Sequence, residues 1–324
     1  MEFNDRTIKL LSTIGPRASF GMYALDLIKK YHDMMIITCD VSTSAGLDRF
    51  RKTYKDNYIE LGIAEQNMIG VAAGLASENY NVITTTFAPF QTMRCGEQIK
   101  VNLGYMKEKV TMVGLASGLV LGNLGYTHCC IEDVGVLRSI PNLTIISPSD
   151  SLETVKAIEA SIKHDESCYI RLTGGSNNPI VNKVDYDFEI GKGRILKEGT
   201  EVLLVATGAS VSQAIISADE LEKNNLSVCV INMATIKPLD VEILKKKINK
   251  KIKLIATIEE HNKIGGLGSA VSEYLAEQNN HPPLIKIGVN DKYDFQGGYE
   301  YLLKSYGLSS SEIVKAIFKF LNKS

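Results

Sequence analysis

Apolar runs of strand length alternate with helical patterns along the amino-terminal half of the chain. The apolar runs predict buried strands at residues 34–38, 82–86, 110–113, 143–146 and 168–170. Helical patterns lie around them, near residues 18–31, 64–79, 88–103 and 150–163. Because strands that alternate with helices form parallel βαβ units, this pattern predicts a parallel sheet with helices on both faces.

The alternation stops after Gly174 and then starts again. Residues 174–200 are rich in glycine, asparagine and charge, which is typical of a connection between domains. Beyond it, a helix is predicted over about 209–224, and strands are predicted at 202–206, 228–231, 254–258 and near 284–287. We therefore predict an α/β protein with a first domain at residues 1–180 and a second, smaller α/β domain at residues 195–324.

Composition narrows the classes of function. The chain has 324 residues, 44% of them hydrophobic and 23% charged, with a net charge of -1. A nearly neutral chain does not neutralise a run of phosphates, so we expect no nucleic-acid partner. No apolar run is long enough to span a bilayer, and the six cysteines include no Cys-x-x-Cys pair. We therefore expect a cytoplasmic protein with reduced thiols and no membrane partner.

Four stretches contain residues that are suited to chemistry. Glu65 opens a helix of small and apolar residues, and Phe87 and Phe90 follow a predicted strand. A glycine-rich loop at residues 122–128 ends in His128, a side chain suited to proton transfer. Arginines, which suit phosphate, lie near strand ends and turns at positions 17, 94, 138 and 171. Taken alone, each stretch is explained as well by a solvated charge, core packing, a structural histidine or surface arginines.

Together the stretches resemble the carboxyl-terminal two-thirds of a transketolase. The segments GIAEQNMIGVAAGLA, TTTFAPFQTMRCGEQIK, GYTH and VGVLRSIPNLTIISPSD occur in the order and approximate spacing of that family. The resemblance covers nearly the whole chain and is strongest over residues 58–175. It implies a thiamine-diphosphate-binding pyrimidine domain, followed by the family's carboxyl-terminal domain.

The resemblance also implies roles for residues near the cofactor. Glu65 matches the carboxylate that hydrogen-bonds the pyrimidine ring and promotes its imino form. That role requires a proton to be shared or held, which favours a buried position. Phe87 and Phe90 match positions that pack on the pyrimidine, and Met93 lies where an aromatic residue is often found. Glu65 is therefore predicted to be catalytic and, with Phe87, Phe90 and Met93, to bind thiamine diphosphate.

Further roles concern the substrate. His128 matches the family's loop histidine, which contacts substrate oxygens and assists proton transfer. Arg17 and Arg171 lie where transketolases place arginines on the substrate phosphate, and Ser44 matches a position on the same rim. The resemblance thus assigns Arg17, Ser44, His128 and Arg171 to substrate binding.

The family's diphosphate-binding segment, with its Gly-Asp-Gly start, has no counterpart in this sequence. We therefore expect a partner polypeptide, the amino-terminal diphosphate-binding subunit of a split transketolase. That partner would hold the Mg²⁺ or similar divalent metal, so no metal ligand is assigned to this chain. A heterotetramer with two copies of each subunit is the expected assembly.

Two positions depart from the family. The family's loop usually reads Gly-Glu-Asp-Gly-Pro-Thr-His, but here Leu124 replaces the aspartate, and Ala116 stands where a histidine is often found. Losing polar partners of a hydroxyl changes selectivity, so a modified or branched sugar is the hypothesis. The alternatives are the β subunit of a 2-oxoacid dehydrogenase decarboxylase, a deoxyxylulose-phosphate-synthase-like enzyme and a non-catalytic scaffold subunit. The loop that runs from Thr127 and His128 into residues 136–142 favours a transketolase-like or synthase-like enzyme.

Overall fold

Two β-sheets form the framework of the computed structural model, which describes residues 1–322. Their strands are β1 (Met34–Thr38), β2 (Tyr58–Glu60), β3 (Asn81–Phe87), β4 (Val110–Leu115), β5 (Leu143–Ile146), β6 (Ser167–Arg171), β7 (Arg194–Lys197), β8 (Val202–Ala206), β9 (Val228–Asn232), β10 (Thr235–Lys237), β11 (Leu254–Asn262) and β12 (Leu284–Val289).

Helices pack around both sheets. They are α1 (Asp5–Lys30), α2 (Asp48–Thr53), α3 (Glu65–Ser77), α4 (Ala88–Gln91), α5 (Gly96–Gln98), α6 (Asp133–Arg138), α7 (Ser151–Lys163), α8 (Ser210–Lys223), α9 (Val241–Lys247), α10 (Leu267–Ala276), α11 (Tyr299–Ser305) and α12 (Ser310–Leu321). Short 3₁₀ turns lie at Lys55–Asn57 and Gly122–Leu124, and a π-helical segment lies at Ile99–Tyr105.

The first sheet has seven strands in the order β10-β5-β6-β4-β3-β1-β2. All its pairs are parallel except that of β10 with β5, which is antiparallel. Both faces are buried, because Ile36 packs in a core with α1 and α7 whereas Ile37 packs in a second core with α3 and α6. Buried residues at successive positions are typical of parallel strands covered on both sides. The predicted parallel sheet with helices on both faces is confirmed.

The second sheet has five strands in the order β12-β11-β8-β9-β7, and only β7 is antiparallel to its neighbour. Leu204 faces a core shared with α8 and α12, and Leu203 faces another with α9 and α10. The strand β10 lies in sequence between β9 and α9 but pairs with β5 of the first sheet. The second half of the chain therefore contributes a strand to the first sheet.

Helix α1 contains a break at Gly15 and Pro16. Gly15 has φ 81°, a left-handed conformation that favours glycine, and a side-chain carbon there would lie 2.6 Å from the carbonyl oxygen of Gly175. This close approach joins α1 to the segment that follows β6. It also sets the direction of the residues after Pro16, including Arg17.

Most predicted elements are present, and the largest difference concerns residues 88–103. One helix was predicted there, but the chain forms two short helices, α4 and α5, and continues into the π-helical segment. All six cysteines are free and buried.

Candidate active site

The predicted site residues follow strands that are neighbours in the first sheet. Strands β6, β4, β3 and β1 are adjacent and parallel, so their carboxyl ends share one edge. Ser44 follows β1, Phe90 follows β3 and His128 follows β4. Ligands of open parallel sheets bind beyond this edge. The topology therefore places these side chains where such a ligand would bind.

Glu65 lies at the first turn of α3 and is 3% exposed. Its Oε2 accepts a hydrogen bond from Arg94 Nη1 at 2.8 Å. The partial positive charge at a helix start also favours a carboxylate. Glu65 is therefore a buried carboxylate with a cationic partner, and the interpretation as a charge facing water does not hold.

An aromatic cluster lies beside this pair. The ring centres of Phe87 and Phe90 are 6.3 Å apart, and His128 lies 6.1 Å from the first and 5.5 Å from the second, all in edge-on arrangements. The guanidinium of Arg94 lies over the Phe90 ring at 4.3 Å from its centre. Arg94 thus links Glu65 to the cluster, and the structure brings Glu65, Phe87, Phe90 and His128 together.

Buried Gln91 fixes the turn that carries both phenylalanines. Its Oε1 accepts from the backbone N–H of Thr86 at 3.1 Å, and its Nε2 donates to Thr84 Oγ1 at 2.6 Å. Pro89 stands in the first turn of α4, where a missing N–H costs nothing. The strand end and the short helix are therefore held as one rigid corner.

Arg17 and Ser44 line one cavity of about 360 Å³, together with Gly15 and Gly175. Burial lowers the pKa of Arg17 below its ordinary value. Within residues 1–322, no carboxylate oxygen lies within 4.0 Å of the Arg17 guanidinium. A cation that faces a cavity without a protein anion is suited to an anionic ligand.

Three further predicted positions lie as follows. Met93 follows α4 and is 42% exposed, so it is open to a ligand or a partner chain. Leu124 is 55% exposed on the loop before His128. Ala116 is buried, with φ 52°, at the point where the chain leaves β4.

The structure places Arg171 away from solvent, which corrects its predicted role. It is 2% exposed, and its Nε donates to both oxygens of Asp133 at 2.8 and 2.9 Å. Its Nη2 donates to the carbonyl oxygens of Cys130 and Glu260. Because Arg171 is enclosed by these partners, we assign it to the packing between the two sheets rather than to a substrate phosphate.

Sequence reasoning missed the pairing of Arg94 with Glu65. Arg94 was noted only as one of several arginines near strand ends. The two residues are 29 positions apart, and no periodicity relates the start of α3 to the residue after Met93. The signal that could have found the pair is the sheet order, because β3 is adjacent to β1 and not to β2.

The residues of the site fit one part of a cofactor. A buried carboxylate next to aromatic edges suits a flat ring with hydrogen-bonding nitrogens, such as the pyrimidine of thiamine diphosphate. Within residues 1–322, no group of three or more His, Cys, Asp or Glu side chains is arranged to hold a metal ion. No helix in this part of the chain has the length and apolar character needed to cross a membrane.

Comparison with known proteins defines the class. Residues 13–178 match the family described as transketolase, pyrimidine binding domain, and residues 191–313 match transketolase, C-terminal domain. The chain belongs to the transketolase family and is a transketolase-type transferase subunit. This family assignment implies dependence on thiamine diphosphate.

Relatives encoded as separate subunits resemble nearly the whole chain. One of the two subunits of an apulose-4-phosphate transketolase from Phocaeicola vulgatus is 33% identical, over 96% of this chain and 98% of that protein. A 6-deoxy-6-sulfo-D-fructose transketolase subunit from Clostridium sp. is 35% identical, over 90% of each chain. A split gene transketolase solved as an inactive beta4 tetramer has a TM-score of 0.84 and 34% identity, covering 94% of this chain and 97% of that one. These similarities imply a partner subunit and an oligomer.

Proposed function

We propose that this chain is the pyrimidine-binding subunit of a two-subunit transketolase that transfers a two-carbon ketol unit between sugars or sugar phosphates. The buried Glu65 at the start of α3, beside Phe90, carries this proposal. When bound, thiamine diphosphate supplies the nucleophilic carbon that accepts the two-carbon unit. The following assignments concern this chain's own residues.

Glu65 would hold the pyrimidine through its carboxyl oxygens and share a proton with a ring nitrogen. Its burial supports this role, because a hydrogen bond is stronger where water is excluded. Phe87 and Phe90 would pack on the ring and keep water away from it. Met93 would extend the same apolar surface from its exposed position after α4.

His128 would move a proton to or from a substrate oxygen. Thr127 Oγ1 lies 3.0 Å from His128 Nδ1, which leaves Nε2 as the nitrogen that faces away from this contact. Arg17 and Ser44 would bind the anionic end of the substrate in their shared cavity. Leu124, exposed in place of the usual aspartate, supports a substrate that differs from the common sugar phosphates near its carbonyl group.

The partner in this proposal is an amino-terminal subunit that binds the diphosphate and a divalent metal such as Mg²⁺. Two copies of each chain would form a heterotetramer. The neighbour solved as an inactive beta4 tetramer supports the view that a subunit of this kind is inactive without a partner.

Glu65→Gln tests the function in the complex with the partner subunit. We expect kcat to fall by about 10²–10⁴-fold, because the amide cannot share a proton as a carboxyl group does. Glu78→Gln is the matched control, since Glu78 is exposed at the other end of α3. Thiamine diphosphate binding, measured by titration, separates loss of binding from loss of chemistry.

Turnover within twofold of wild type in Glu65→Gln would refute the catalytic role and favour the scaffold subunit. Substrate assays of the same complex separate the remaining alternatives. Ketol transfer from a ketose supports the proposal, and decarboxylation of a 2-oxoacid without any ketol transfer would overturn it.

A further inference from the structure

We propose that the carboxyl-terminal domain positions the loop that carries His128, through the hydroxyl group of Tyr306 and the segment around it. We define the His128 loop as residues 116–130 and the clamp as residues 293–306, which include α11. The kinetic part of this inference rests on the proposed function, whereas its structural part does not.

The base of the His128 loop is closed and joined to the second sheet. Gly118 and Cys130 exchange two backbone hydrogen bonds, at 2.7 and 2.9 Å. The N–H of Leu119 donates to Glu260 Oε1 at 2.6 Å, and Tyr299 of α11 donates to Glu260 Oε2 at 2.6 Å. Glu260 is 1% exposed. A buried carboxylate of β11 therefore connects the loop to the clamp.

The middle of the loop packs directly on the clamp. The N–H of Gly297 donates to the carbonyl oxygen of Gly122 at 3.3 Å, and Gln296 Nε2 donates to that of Asn123 at 3.3 Å. A side-chain carbon at Gly122 would lie 2.1 Å from Leu302 Cδ1. Only glycine fits such a distance, so the loop backbone lies against α11.

Tyr126 makes the contact nearest to His128. Its hydroxyl is hydrogen-bonded to that of Tyr306, and its ring lies 4.5 Å from the ring of Tyr293, centre to centre. The Tyr306 hydroxyl also accepts from the N–H groups of Asp294 and Phe295, at 3.2 and 3.3 Å. Because these amides occupy its acceptor sites, Tyr306 donates its one proton to Tyr126.

This arrangement fixes the chain two residues before His128. The N–H of His128 donates to the carbonyl oxygen of Gly125 at 3.0 Å, so the turn that contains Tyr126 also sets the direction of the imidazole. The position of that ring beside Phe90 then depends on the clamp. The carboxyl-terminal domain thus acts on the site by orienting a loop, in addition to any part in assembly.

Tyr306→Phe and Tyr126→Phe, alone and combined, test the inference. Each removes one hydroxyl and keeps a ring in the packed interface. In the isolated full chain, hydrogen exchange of the amides at residues 119–129 should become about tenfold faster, which corresponds to the loss of one hydrogen bond. The double variant should resemble either single one, because both remove the same bond. Tyr301→Phe is the control, since Tyr301 lies on the same helix and is 54% exposed.

In the complex with the partner, the same variants should raise KM for the sugar by about three- to tenfold. The affinity for thiamine diphosphate should stay unchanged, because Glu65, Phe87 and Phe90 are not altered. A purely structural role would instead weaken cofactor affinity and sugar binding together.

Two results would overturn the inference. One is unchanged exchange of residues 119–129 in both single variants. The other is faster exchange spread evenly over the whole chain, which indicates global destabilisation. If Tyr306→Phe does not fold, Gln296→Ala removes a surface contact of the same clamp and must then produce the local effect. The exchange measurement needs no activity, so its failure is distinct from failure of the proposed function.

Discussion

Arg94 and Glu65 form an ion pair at the centre of the candidate site, with 2.8 Å between Nη1 and Oε2. The carboxylate is buried, whereas the arginine side chain is 41% exposed and stacks on Phe90. The pair therefore joins the start of α3 to the corner after β3 and places a positive charge beside the proposed pyrimidine position.

Arg94→Met should destabilise the isolated chain by about 1.5–3 kcal/mol, because it leaves a buried carboxylate without its charged hydrogen-bond donor. Arg94→Lys keeps the charge and should lose less, about 0.5–1 kcal/mol, since it loses the planar stack on Phe90. Denaturant unfolding followed by circular dichroism measures both. Equal stability of Arg94→Met and wild type would show that solvent satisfies Glu65.

Arg17→Met should raise KM for a phosphorylated sugar by about ten- to a hundredfold, through loss of a charged hydrogen bond worth about 1.5–3 kcal/mol. It should leave KM for the unphosphorylated sugar unchanged. Steady-state kinetics of the complex provide the comparison. Arg6→Met, on the exposed first half of α1, is the control. An equal effect on both sugars would rule out a phosphate ligand at Arg17.

Arg171→Met should cost about 3–5 kcal/mol of unfolding free energy, because it leaves Asp133 buried without its cation. Asp133 is fully buried and also accepts from Tyr169 at 2.7 Å. The contrast is Lys315→Met, which breaks an ion pair whose lysine is 71% exposed and should cost less than about 1 kcal/mol. Similar losses for the two variants would contradict the assignment of Arg171 to packing.

His261 should make stability depend on pH. Burial lowers the pKa of His261 to about 4, and its ring is held by Asn262 and by the N–H of Gly135. Between its unfolded value near 6.5 and 4, only the unfolded chain takes up the proton, so stability present above pH 6.5 is lost as pH falls.

The measurement is the difference in unfolding free energy between wild type and His261→Gln. We expect this difference to shrink by about 2 kcal/mol from pH 7 to pH 5. A difference that stays constant over this interval would show that His261 titrates alike in the folded and unfolded chains.

Much of the fold could be predicted from apolar runs, because strands buried on both faces leave an uninterrupted signal. The run at residues 34–38 matches β1 in full. Short edge strands lack this signal: β2 has three residues, none of them buried, and was missed. The helix expected at residues 88–103 breaks because its segment also has to turn at Phe87 and pack Gly104 against Ile140.

For the site, local sequence identified side chains but not their partners. Glu65, Phe90 and His128 stand in motifs and were found together. The burial of Arg171 depends on Asp133 and on backbone oxygens from two domains, which no local pattern encodes. A long-range pair of this kind becomes visible only when the order of the strands is known.

The crossing of β10 into the first sheet affects how the polypeptide can be divided. A polypeptide that ends near residue 190 would keep six parallel strands but would leave β5 with an open edge of unpaired backbone groups. Such edges promote pairing between molecules and aggregation. The two sequence domains are therefore one folding unit, and the chain cannot be shortened to its cofactor-binding half without exposing a surface that recruits other strands.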